Sequence, residues 1–126
     1  MVEESIYSNR RKYPRLAIQL PVRYRLLDDG KSKYVKEITN SIGQGGLFVR
    51  TKAGLTQETK LQLEFTLRDK TIMARGIVRY LVPYDAEAGG VQFPGIGIQF
   101  TVISPEDQEF IGKYVEEGLQ KQSKKH

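Results

Sequence analysis

Between Gln19 and Ile103 the chain is a succession of short runs, most with apolar residues at alternate positions, broken by turn residues. Gln19 to Leu27 sets Leu20, Val22, Tyr24 and Leu26 on one side and Arg23 and Arg25 on the other. A period of two marks a strand buried on one face. Asp28-Asp29-Gly30 then signals a turn. Lys33 to Thr39 alternates Tyr34, Lys36 and Ile38 with Val35 and Glu37, and Gly43-Gln44-Gly45-Gly46 leads into Leu47-Phe48-Val49-Arg50. Leu61, Leu63, Phe65 and Leu67 alternate with Gln62, Glu64 and Thr66, and Arg68-Asp69-Lys70 can turn the chain. Ile72 to Val82 is a longer strand in which Gly76 is expected to bend or bulge. Ile96 to Ile103 follows Pro94-Gly95. Six strands in this rhythm, with no helix between them, predict a barrel or sandwich and argue against a doubly wound parallel sheet.

One helix follows. Ser104 can accept N–H bonds at its N-cap, Pro105 suits the first helical position, and Glu106 and Asp107 favour the positive end of the dipole. Phe110, Ile111, Tyr114, Val115 and Leu119 recur at helical spacing. A single apolar stripe on a terminal helix is expected to cover an open end of the barrel, packing through Phe110, Ile111, Tyr114 and Val115.

Several function classes are excluded by what the chain lacks. With 126 residues it fits one domain, expected over residues 10–120, with a flexible lead-in at 1–9 and a basic tail at 121–126. It contains no cysteine, and its one histidine is the terminal His126. Thiol nucleophiles, Ser-His-Asp sets and Cys- or His-based metal sites are therefore absent. Gly95-Ile96-Gly97 lacks the helix a dinucleotide loop needs, and Gly43-Gln44-Gly45-Gly46 lacks the Lys-Ser/Thr of an NTPase phosphate loop. No enzyme activity and no cofactor are expected. No apolar run reaches membrane-spanning length and no signal segment opens the chain, so a cytoplasmic protein without membrane insertion is expected.

The net charge of +5 gathers at the ends. Residues 1–25 carry Arg10, Arg11, Lys12, Arg15, Arg23 and Arg25 against Glu3 and Glu4, and Lys121, Lys124 and Lys125 close the chain. Basic ends suit an anionic partner. Arg11-Lys12-Tyr13-Pro14-Arg15 has the form Arg-x-x-x-Arg just before a strand, and Pro14 disfavours helix at Tyr13. A planar guanidinium can grip phosphate in a fork, bond guanine O6 and N7, or stack on a base. The glycine-rich turn can bring backbone N–H groups close to phosphate or base edges. Each feature alone also fits a solvated arm or an ordinary hairpin.

Taken in order, they resemble the PilZ family. That family has Arg-x-x-x-Arg before its first strand and Asp/Asn-x-Ser-x-x-Gly about two strands later. Here Arg11 and Arg15 are followed by Thr39-Asn40-Ser41-Ile42-Gly43-Gln44-Gly45-Gly46-Leu47-Phe48, and Gly95-Ile96-Gly97-Ile98-Gln99-Phe100 resembles the family's late Gly-x-x-Phe strand. The resemblance spans residues 10 to about 117. It implies an all-β fold, a six-stranded antiparallel β-barrel with one C-terminal α-helix. It implies cyclic di-GMP as ligand, often bound as an intercalated dimer. The ligand-binding residues carried over are Arg10, Arg11, Arg15, Asn40, Ser41, Gly43, Gly45 and Gly46. The second motif departs from the pattern in either register. Anchored on Gly46, Ser41 replaces the Asp/Asn and Gly43 the Ser; anchored on Asn40, Ile42 takes the Ser position. Measured from Asn40, the loop is one residue longer than usual.

The expected function is a cyclic di-GMP receptor or adaptor that relays a second-messenger signal to a protein partner. The alternative is an adaptor that binds no nucleotide and works through protein contacts, in motility or secretion control. A nucleic-acid-binding barrel is the third class. Its aromatics mostly fall at core-like positions, leaving few for a stacking platform, so no DNA partner is expected.

Overall fold

The computed structural model describes residues 13–28, 30–82 and 94–123. Arg10, Arg11, the lead-in and His126 lie outside the described residues. The strands are β1 (Arg15–Ala17), β2 (Pro21–Leu26), β3 (Val35–Gly43), β4 (Gly46–Arg50), β5 (Lys60–Leu67), β6 (Lys70–Val82) and β7 (Gly95–Val102). Helix α1 spans Pro105–Ser123.

Six strands close on themselves. Their ring runs β3-β2-β5-β6-β7-β4 and back to β3, every pair antiparallel. Closure leaves no free sheet edge in the ring. The alternation does what it predicts: Val22, Tyr24, Leu61, Leu63, Phe65 and Leu67 are buried inside. Ile96, Ile98 and Phe100 meet them from β7.

The extra strand, β1, is a departure from the sequence reading. It lies on the same edge of β3 as β2, pairing Arg15 with Gly43, Leu16 with Ile42 and Ala17 with Ser41. The break between β1 and β2 is filled by Thr39, which is fully buried. Its hydroxyl donates to the Ile18 carbonyl at 2.7 Å and accepts from the Leu20 N–H at 2.9 Å. Two backbone bonds, Thr39 N–H to Leu20 and Ile18 N–H to Asn40, complete the splice.

β3 also runs longer than expected. Asn40 to Gly43 continue the strand, because β1 and β4 supply hydrogen-bonding partners on both edges. The register with β4 shifts between Thr39 and Ser41, which makes Asn40 a β-bulge. The bulge resets the phase of the strand. Thr39 and Ile42, three apart, both point inward and are buried. The residue that makes the loop one longer than the family spacing is thus taken up by the bulge. What remains of the glycine-rich stretch is a two-residue turn, Gln44-Gly45, between the paired Gly43 and Gly46.

α1 begins as the sequence predicts: Ser104 Oγ accepts from the Asp107 N–H at 3.0 Å. Its packing is narrower than the four-residue stripe. Ile111 and Val115 are buried, while Phe110 and Tyr114 are only partly so. Lys70 and Arg68 lie over those two rings, at 5.1 and 5.5 Å from the centroids. The helix meets the barrel chiefly at β1 and β3. Leu16 fits against Gly118, and Gln122 Nε2 donates to the Ala17 carbonyl at 3.2 Å.

Candidate functional site

β1, the β3–β4 turn, β6 and β7 enclose a cavity of about 310 Å³ on the outer face of the barrel. Tyr13 and Arg15 line it from the arm, and Gly43, Gly45 and Gly46 from the hairpin. Arg79 and Tyr80 from β6 and Gly97, Ile98 and Gln99 from β7 complete it. Of the residues expected from sequence, the structure therefore brings together Arg15, Gly43, Gly45 and Gly46. Asn40 and Ser41 do not line the cavity. The Asn40 side-chain oxygen, Oδ1, accepts from Arg50 Nε and Nη2 at 3.3 and 3.1 Å. Ser41 sits between Ala17 and Phe48 in the sheet. Arg10 and Arg11 lie outside the described residues.

Proximity explains the glycines of this site better than backbone conformation. Among the described glycines only Gly30 has a positive φ. A Cβ on Gly46 would run into the Ile98 carbonyl oxygen, and one on Gly97 into the Tyr80 ring. At both points the space a side chain would need is taken by the chain itself, by the β7 backbone at Gly46 and by the Tyr80 ring at Gly97. Phe48 lies against that ring, with centroids 6.0 Å apart and planes 22° from parallel.

The walls are cationic. Arg15 Nη1 donates to the Tyr80 hydroxyl at 3.4 Å. Arg79 Nε donates to Gln99 Oε1 at 2.6 Å, and its Nη1 pairs with Glu58 at 3.1 Å. Among the described residues, no carboxylate lines the cavity. Two guanidinium groups and a tyrosine ring suit a planar, anionic ligand. Among the described residues no cluster of His, Cys, Asp or Glu could hold a metal ion.

Tyr13, Arg79, Tyr80 and Gln99 were not legible as site residues. For Arg79 and Tyr80 the reason is a second bulge. Between β6 and β7 the register shifts between Val78 and Tyr80, leaving Arg79 as the extra residue. Arg79 and Tyr80, adjacent in sequence, therefore both face the cavity, where strict alternation would send one inward. The expected irregularity at Gly76 is present, as a register shift between Arg75 and Gly76.

The PilZ domain model matches residues 9–117. The chain belongs to the PilZ family. Solved structures agree on the fold of this PilZ domain. It is similar to the Bacillus subtilis inhibitor of motility MotI/DgrA, with TM-score 0.70 and 19% identity over 92% of this chain and 53% of that one. It is similar to the PilZ domain with c-di-GMP of YcgR from Escherichia coli, with TM-score 0.65 and 14% identity over 93% of this chain and 99% of that one. It is also similar to the c-di-GMP complex of MrkH from K. pneumonia, with TM-score 0.70 and 17% identity over 92% of this chain and 55% of that one. The chain thus spans about half the length of MotI and MrkH and nearly all of the YcgR domain. No curated protein matches it in sequence. Among the described residues, no helix is long and apolar enough to cross a membrane.

Proposed function

We propose that this PilZ domain is a non-catalytic receptor for cyclic di-GMP that relays ligand binding to a protein partner. One observation carries the reading. Arg15 and the Gly43–Gly46 turn, distant in sequence and named by two separate motifs, line the same cavity. In this reading Arg15 and Arg79 hold phosphate oxygens or guanine edges, as charged forks do. Tyr80 offers a stacking face. Arg10 and Arg11 would add further guanidinium groups from the arm. α1 contacts β1 and β3, the strands that present Arg15 and Gly43, so the helix is where a partner would sense occupancy.

The test is amide chemical-shift mapping with cyclic di-GMP. Shifts confined to Gly43, Gly45, Gly46 and Gly97 and their neighbours are expected. Shifts centred elsewhere on the barrel contradict the assignment. A second reading, an adaptor that works by protein contacts alone, is favoured by the departure of the second motif in either register, at Ser41 and Gly43 when anchored on Gly46 or at Ile42 when anchored on Asn40. A silent titration would leave that reading in place.

A further inference from the structure

In the register anchored on Gly46, Gly43 stands where the motif has its serine, and the structure gives that departure a physical role. A Cβ placed on Gly43 would lie 2.7 Å from the Pro14 carbonyl oxygen and 3.4 Å from Arg15 Cγ. The first of these neighbours is backbone and cannot swing aside. Two residues further on, a Cβ on Gly45 would lie 3.1 Å from the Tyr13 ring. Tyr13, Pro14 and Arg15 thus rest on two bare positions of the hairpin.

The arm has little room to back away. Arg15, Leu16 and Ala17 are paired with β3 on one side. On the other, Leu16 is buried against Gly118 and Ala17 accepts from Gln122. A side chain at position 43 therefore forces either Pro14 off the hairpin or β1 off the helix.

We propose that Gly43 and Gly45 are the seat of the N-terminal arm, and that this seat positions Arg15 in the cavity. Gly43 is a positioning residue, acting on the ligand through Arg15. The affinity part rests on the cyclic di-GMP reading; the docking of the arm does not. The consequence runs against motif repair. Placing serine at 43 to rebuild Asp/Asn-x-Ser-x-x-Gly displaces the arginine that the other motif supplies.

The experiment measures tryptic cleavage after Arg15 and calorimetric affinity for cyclic di-GMP in wild type, Gly43→Ala and Gly43→Ser. Both variants should be cut after Arg15 about tenfold faster or more, with cleavage after Lys60 and Arg68 unchanged, as local overpacking predicts. Both should lose about tenfold in affinity, with no rescue by the serine hydroxyl. Should a Gly43 variant fail to fold, Gly45→Val, whose Cβ approaches only the Tyr13 ring, should also accelerate cleavage of the arm. Unchanged cleavage after Arg15 in folded variants overturns the seat, whatever the titration shows. A Gly43→Ser protein that binds more tightly than wild type also overturns it. Accelerated cleavage with no nucleotide binding by wild type supports the seat and removes the receptor reading alone.

Discussion

Gln44 and Gln108 exchange hydrogen bonds through their side-chain amides: Gln44 Nε2 donates to the Gln108 carbonyl at 3.2 Å, and Gln108 Nε2 to the Gln44 carbonyl at 3.0 Å. The Gln44 side chain lies in a notch of α1 where a Cβ on Gly112 would meet it at 2.5 Å. The turn that lines the cavity is thereby fastened to the helix. Gln44→Ala removes one of the bonds and empties the notch. It should destabilise the fold by about 1 kcal/mol, read as a lower urea midpoint at constant slope. An unchanged midpoint would mean the fastening contributes nothing.

The helix is anchored by Ile111 and Val115, at 0% and 1% exposure. Ile111→Ala should cost about 2–5 kcal/mol, the range for truncating a closed aliphatic site. Phe110→Ala should cost clearly less, because that ring keeps a solvent-facing side beneath Lys70. Equal losses in denaturant unfolding would contradict this ordering.

What the sequence disclosed and what it concealed divide along physical lines. Alternation exposed the inward sets of β2 and β5, because in those strands the period of two is unbroken. Ser104-Pro105 exposed the helix start, since a cap is a local device. The bulges at Asn40 and Arg79 leave no local mark, and each changes which neighbours face outward. They hid the inward turn of Ile42 and the placement of Arg79 and Tyr80 together in the cavity. β1 was hidden for another reason: three residues are too few to show a period. Its strand character comes from β3, against which it pairs. Arg15 was legible through its motif, whereas Tyr13 gains its place only from the bareness of Gly45.

Thr39→Val tests the splice between β1 and β2. The substitution keeps the shape but withdraws both hydroxyl bonds, leaving the Leu20 N–H and Ile18 carbonyl short of a partner. A loss of about 1–3 kcal/mol is expected. Faster hydrogen exchange should concentrate at Ile18 and Leu20. Exchange spread evenly over the barrel would show that Thr39 does not act at the splice.

Tyr24 gives the barrel an alkaline limit. Burial raises its phenol above the ordinary 10.0, and the nearby Glu37 carboxylate adds to the rise against the lowering effect of the Thr51 hydrogen bond. The folded state thus holds this proton more tightly than the unfolded chain. The resulting stability is whole below pH 10 and is lost as pH climbs through the raised value. The melting temperature of wild type should fall more steeply above pH 10 than that of Tyr24→Phe. Parallel curves would show that another group sets the limit.

Calorimetric titration of wild type and Arg15→Ala with cyclic di-GMP tests the central claim most directly. Wild type should give a saturable heat. Arg15→Ala, folded and with an unchanged barrel, should bind at least about tenfold more weakly, since a charge-assisted hydrogen bond contributes roughly 1.5–3 kcal/mol. No heat from wild type at millimolar nucleotide, or equal affinity in the two proteins, would contradict the account.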